Sequence, residues 1–213
     1  MTQATPFIQA RYFHKSHRER VDYIVIHCMQ LPCKVGLAQR LGDRFQLAME
    51  QGKEKSAHYG IDPGAVIQYV HETDVAFHCK GANARGVGLE HAGYGPGVAG
   101  RAGVPAADGK PALHHKNPIE ATDYTTGDGL KVLRLSAALA GPMAAYWKIP
   151  VVRLSPAQIV AGERGFAGHV DFSEAFATPG GHRDPGPAWP WDLYLELVRA
   201  SMTTGAGTPG VAA

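Results

Sequence analysis

The stretch "GHVDFSEAFATPGGHRDPGPAWPW", from Gly168 to Trp191, sets two histidines and three acids among glycines and prolines. Imidazole and carboxylate groups are what a catalytic divalent cation uses: three protein ligands, with a fourth position kept for water. His169 and one acid of this stretch, Asp171 or Asp184, supply two of the three. The remaining ligand lies far upstream, where the apolar run "DYIVIHC" (Asp22–Cys28) closes on His27. No motif of the HExxH kind fixes two ligands on one helix. Separate elements must therefore bring these side chains together.

Those elements are legible in the hydrophobic pattern. "DYIVIHC" is short and β-branched and reads as a buried strand. "RGFAGHV" (Arg164–Val170) reads as a second strand ending at a histidine. Both strands would deliver an imidazole to the same edge of the sheet. On a continued strand Asp171 would share the face of His169, which keeps it a rival of Asp184. "AHYGIDPGAVIQYV" (Ala57–Val70) predicts two strands about an Asp62-Pro63-Gly64 turn. "GVGLEHA" (Gly86–Ala92) predicts another, with Gly88, Glu90 and Ala92 on one face and Leu89 and His91 on the other. Helical spacing joins Leu37, Leu41, Phe45 and Ala48, with Gly52 as a stop. A second helix carries Leu135, Leu139, Met143 and Tyr146, kinked or shortened at Pro142, and a third begins at Trp191. The pattern is α/β, a central mixed β-sheet flanked by about three helices. One domain over 21–202 is expected, with an N-terminal segment (1–20), a glycine-, alanine- and proline-rich loop (about 95–126) and a flexible tail (203–213).

Composition narrows the class. At 213 residues, with 45% hydrophobic and 19% charged, the chain has enough material for a packed core. A net charge of +2 is too mild to point to nucleic acid. No run of about eighteen apolar residues predicts a membrane span. The first twenty residues carry no apolar core of the secretory kind, so synthesis in the cytoplasm is expected, with action elsewhere only after release. Cys28, Cys33 and Cys79 read as free thiols, although spacing would permit a Cys28–Cys33 bridge. His14, His17, His71, His114 and His115 read as surface residues.

Four blocks in order, "YIVIHC", "SAHYGIDPGAVIQYV", "AFHCKGANARGVGLEHAGY" and the 168–191 stretch, resemble the zinc-dependent N-acetylmuramoyl-L-alanine amidases of type 2. That family includes phage endolysins and peptidoglycan recognition proteins. The likeness covers most of Asp22 to Trp191 apart from the 95–125 insertion, and its wording is most similar to endolysins of phages infecting actinobacteria. It implies one Zn2+ held by His27, His169 and Asp184, in preference to Asp171. It also implies cleavage of the amide joining N-acetylmuramic acid to L-alanine in bacterial peptidoglycan. Glu90 matches the family glutamate expected to move protons. His182 stands where lysine commonly stabilises the oxyanion, a departure, and Ala57 stands where some members carry tyrosine. His78 matches a histidine near the substrate groove, expected to bind the peptide stem or to support the metal shell. A monomer acting at the cell wall after host lysis is the expectation. A cytoplasmic enzyme recycling anhydromuropeptides and a non-catalytic peptidoglycan-binding module are the alternatives. The latter typically lacks the third ligand, whereas Asp184 is present. A closed structural zinc site using Cys28 is disfavoured, because adjacent strand residues point to opposite faces.

Overall fold

The structure is a computed structural model and describes residues 5–95, 121–178 and 181–204. The "YIVIHC" run forms the central strand β2 (Tyr23–Cys28), buried along its whole length. A strand covered on both faces has no reason to alternate with polar residues, which explains the unbroken apolar run. It pairs in parallel with β6 (Gly86–His91) on one side and β7 (Gly165–Gly168) on the other. Beyond β6 lie parallel β3 (Tyr59–Ile61) and antiparallel β4 (Val66–Gln68), giving the order β4-β3-β6-β2-β7. A separate two-stranded ribbon joins β1 (Phe13–His14) to β5 (Val75–Ala76). The β3–β4 turn is organised by Asp62. One carboxylate oxygen accepts from the Gly64 and Ala65 amides at 2.8 and 2.9 Å. The other accepts from Gly36 and Ala38 at 2.8 and 3.0 Å, tying the hairpin to the start of α1 (Leu37–Phe45).

Alternation along β2 divides the molecule. Ile24, Ile26 and Cys28 join the core beneath α2 (Gly127–Trp147) and α5 (Trp191–Thr204). Tyr23 and Val25 face the other way, toward Ile159 of α3 (Pro156–Val160) and Phe172 of α4 (His169–Ala175). α2 continues through Pro142 for five more residues rather than ending there. At the neighbouring Gly141 an added Cβ would lie 2.7 Å from Ser201 Cβ and 2.9 Å from the Val198 carbonyl. The close seat on α5 that this glycine permits holds the helix together past the proline.

Two expectations need correction. Among the described residues there are five helices, not about three, because α3 and α4 are too short to reveal a helical period. "RGFAGHV" also does not stay extended: the strand ends at Gly168, and His169 opens α4. The three cysteines are free, as read from their number. His114, His115, most of the 95–126 loop and most of the 203–213 tail lie outside the described residues. The N-terminal segment is held to the domain by the Ile8 and Ala10 amides, which donate to the Gln68 and Tyr69 carbonyls, each at 2.9 Å.

The end of β2 remote from the histidines is fixed by charge. Asp22, fully buried, meets Arg20 Nε at 2.6 Å, Arg164 Nε at 2.8 Å and Arg85 Nε. Arg164 also donates to the carbonyls of Val21 and Trp147, at 3.0 and 2.7 Å, linking the strand to the end of α2. Asp22→Ala would leave guanidinium groups facing a buried gap. We expect a loss of about 3 kcal/mol, read from the urea midpoint, at the low end for a broken buried pair because Arg20 and Arg85 are partly solvated. An unchanged midpoint would show that the cluster does not hold the strand.

Candidate metal centre and its cleft

The register of the parallel strands puts the chemistry in one row. Glu90 on β6 is the partner of His27 on β2, and Gly168 on β7 is the partner of Ile26, so His169 follows immediately beside His27. These are carboxyl-terminal strand ends, where open α/β sheets gather their sites. The His27 and His169 rings lie 4.7 Å apart, edge to face. Asp184 closes the group from a turn. Its Oδ2 lies 3.2 Å from His27 Nδ1, and its Oδ1 lies 3.6 Å from His169 Nδ1. One ligand atom from each of the three residues lies within 4.8 Å of the others, and all three residues are buried.

Local contacts explain how the Asp184 turn reaches this place. The Val170 amide donates to the Asp184 carbonyl at 2.9 Å, and the Cys28 amide donates to Asp184 Oδ2 at 3.3 Å. Pro185 packs directly on Gly168, where an added Cβ would stand 2.6 Å from the proline Cδ. Asp171 is occupied elsewhere. As the third residue of α4 it accepts from the Gly168 amide at 2.7 Å, and it lies 3.6 Å from Arg153 Nη2. The sequence-level rivalry rested on a continued strand, and the helix removes it by turning Asp171 back onto its own N-terminus.

The electrostatics follow from burial and crowding. Burial opposes charge on Asp184, but hydrogen bonds from His182 and His27, with the histidine charges, hold its carboxyl far below the usual range. Burial likewise opposes charge on His27, yet Asp184 and Glu90 outweigh it and raise this imidazole. At His169, burial and then the neighbouring His27 prevail, and its pKa falls to about 2. Its Nδ1 is buried without a hydrogen-bond partner, a costly state for a polar atom. A lone pair kept from water, aimed at a carboxylate and beside a second imidazole, fits a divalent cation. Two nitrogens and one oxygen are the donor set of open catalytic sites.

Glu90 is partly buried, its side chain makes no hydrogen bond among the described residues, and its pKa is raised chiefly by burial. His182 is exposed. Its ring stacks on His169 at 4.1 Å, and its Nδ1 lies 3.5 Å from Asp184 Oδ1. His78 sits beneath the group: its Nδ1 is 3.0 Å from His27 Nε2, with the rings nearly perpendicular. All six expected site residues line a single cleft of ≈ 700 Å³. One contributor escaped the sequence reading. His91, fully buried, holds the His27 carbonyl through Nδ1 at 2.8 Å, while its Nε2 meets Ser136 Oγ at 2.7 Å. A histidine alternating with leucine on the apolar face of "GVGLEHA" was the available signal.

A mixed sheet whose parallel strand ends collect two imidazoles and a carboxylate above an open cleft defines a metallohydrolase type of site. The chain belongs to the N-acetylmuramoyl-L-alanine amidase family, whose profile matches residues 17–187. The substrate of that family is peptidoglycan. No curated protein matches the chain in sequence. Its fold is similar to that of the Staphylococcus aureus hydrolase AmiA, solved with its ligand (14% identity, TM-score 0.62, covering 99% of this chain and 89% of that one). It is also similar to a selenomethionine AmpD derivative (16%, TM-score 0.52, 93% and 96%) and to a mutant endolysin from Bacillus subtilis (13%, TM-score 0.51, 93% and 99%). At these identities the likeness is one of fold.

Gly168→Ala tests the docking of the Asp184 turn. The new methyl group must displace Pro185 and with it the carboxylate. We expect affinity for Co2+, measured against a competing chelator, to fall by about tenfold or more, as when the support of a ligand is lost. Unaltered affinity would mean that the turn reaches its place without this contact.

Proposed function

We propose that the protein is a zinc hydrolase of endolysin type that cleaves the amide between N-acetylmuramic acid and L-alanine, acting as a monomer on the cell wall upon host lysis. The observation that carries this reading is the convergence of His27, His169 and Asp184 beside Glu90, whose carboxylate has no hydrogen bond among the described residues. The endolysin wording of the 168–191 stretch favours the wall over small fragments. Zinc held by these three residues would supply Lewis acidity at the amide carbonyl and acidify water toward a pKa of ~7.

The remaining work falls to side chains. Glu90, made more basic by burial, accepts a proton from the attacking water and returns it to the nitrogen of L-alanine. One water is consumed, the C–N bond breaks, and the lactyl carboxyl and a free amine result. His182, stacked on His169, donates a hydrogen bond to the carbonyl oxygen as negative charge develops. His78 supports His27 rather than the peptide. Burial lowers its pKa and keeps it neutral; in the tautomer that leaves Nδ1 as the acceptor, it would hold the proton of His27 on Nε2 and leave His27 Nδ1 for the metal. Gly88 makes room for this contact, since a Cβ there would stand 2.5 Å from the His78 ring.

Digestion of intact sacculi with and without a chelator is the decisive assay. We expect new amino termini, no new reducing ends, and loss of activity on chelation. Reducing ends would mean a glycosidase, and activity confined to soluble anhydromuropeptides would mean a recycling enzyme. Glu90→Gln is expected to slow turnover by about 10²–10⁴ while zinc stays bound. His78→Ala is expected to weaken zinc binding by about 10–100-fold, which a purely peptide-binding histidine would not do.

A further inference from the structure

One wall of the cleft has little structure of its own. Residues 46–58, between α1 and β3, are neither helix nor strand, and Met49, Glu54, Lys55 and Ser56 from this stretch line the cleft. Its far end is fastened just before His78. The Ser56 amide donates to the Phe77 carbonyl at 3.1 Å, and the Phe77 amide donates to Ser56 Oγ at 2.9 Å. Between α1 and that point most residues are exposed, and among the described residues none joins a buried apolar cluster. A segment with so few buried contacts opens at little cost unless something else holds it.

A single side chain does so. Tyr12 Oη accepts from the Met49 amide at 3.0 Å and donates to the Met49 carbonyl at 3.3 Å. Among the described residues no other hydrogen bond or ion pair joins 48–55 to the chain outside it, the rest being internal ones such as Gly52 to Glu54 and Lys53 to Glu50. Tyr12 is itself held from both sides. The Arg11 amide donates to the Phe45 carbonyl at 2.9 Å, at the end of α1, while Phe13 and His14 pair with Ala76 and Val75. At the two ends of the segment the Gln68 amide donates to the Pro6 carbonyl at 2.9 Å, and the Ser16 amide donates to Asp74 Oδ1 at 3.0 Å. The family profile begins at residue 17, so this segment lies ahead of the part of the chain that the family shares.

We infer that residues 6–16 form a strap that sets the place of the Met49–Ser56 wall, with Tyr12 as a positioning residue for substrate binding. This rests on the amidase reading, which puts the substrate in this cleft. The metal ligands and Glu90 stand on β2, β6, α4 and the Asp184 turn, and the Tyr12 hydroxyl bonds to none of these. The strap therefore acts on affinity and leaves the chemical step alone. A wall that is ordered only when substrate arrives draws that ordering from the binding energy, whereas a wall fastened beforehand does not.

Tyr12→Phe is the test, because the ring stays and only the hydroxyl is lost. Trypsin cleavage after the exposed Lys53 and Lys55, located by mass spectrometry on the native protein, is expected to quicken about fivefold, the equivalent of a net hydrogen bond of about 1 kcal/mol. On a soluble muramyl peptide, KM is expected to rise about fivefold with kcat and Co2+ affinity unchanged. Unaltered cleavage at both lysines overturns the inference, since the hydroxyl then does not hold the wall. An unchanged KM overturns it too, because a merely structural bond lowers the urea midpoint without moving KM. A fall in kcat at constant KM overturns the separation from the chemical step. Failure of the unaltered protein to hydrolyse any muramyl peptide refutes the amidase reading alone, and the trypsin arm then decides the strap without substrate.

Discussion

Asp184 is buried beside three histidines, and the rest of the centre is arranged around the penalty of taking that charge out of water. An isolated carboxylate in such a place would protonate rather than stay charged. It remains an anion because His27, His182 and the Cys28 amide all address it. The arrangement leaves His169 Nδ1 without a donor or an acceptor of its own. That residual need makes the group a receptor for a cation instead of a self-sufficient ion cluster. The contrast with Asp22 is instructive: there three arginines complete the neutralisation and nothing is left over to bind.

Holding ligands on separate elements demands that those elements not slide. Parallel pairing of β6, β2 and β7 supplies the coarse placement, since a slip of one residue would send His27 into the apolar layer and Cys28 into the cleft. A polar chain behind the sheet supplies the fine placement. Tyr194 of α5 meets Ser136 of α2, Ser136 meets His91, and His91 holds the His27 carbonyl. His27 is thereby gripped at its backbone from the helical side and at its ring by His78 from the cleft side. The chain on the helical side is satisfied from Tyr194 to the His27 carbonyl, and a satisfied buried chain fixes one arrangement, which a centre with a single geometry needs.

The parts that were legible in the sequence carry their own local signal. β2 announced itself by an unbroken β-branched run, and the face of Glu90 by the alternation of "GVGLEHA", because a strand face is a property of two-residue spacing; its role came from the family likeness alone. α4 was hidden because seven residues cannot display a helical period and because Phe166 and Ala167 lead into it as a strand. Its start depends on Asp171 reaching back to the Gly168 amide, a contact of three residues' span that an extended reading turns into a rival of Asp184. Tertiary contact decided the remainder. Pro142 lies within a continuous helix because Gly141 lets α5 come close, and His78 lies under His27 because residue 88 has no side chain. Neither fact can be read from spacing, since each is set by a partner more than nine positions away.

The cleft also separates two kinds of electrostatics that would interfere if mixed. Its floor holds carboxylates and imidazoles in a buried setting, where charge interactions are strong and pKa values move. Its walls hold long, solvated cations whose effect on the floor is weakened by water and salt. Were Lys55 buried against Glu90, the pair would neutralise each other and the carboxylate would lose the basicity that burial gives it. Exposure of the lysine leaves burial as the leading influence on Glu90, so its pKa stays raised. Solvation of the walls thus protects the chemistry of the floor.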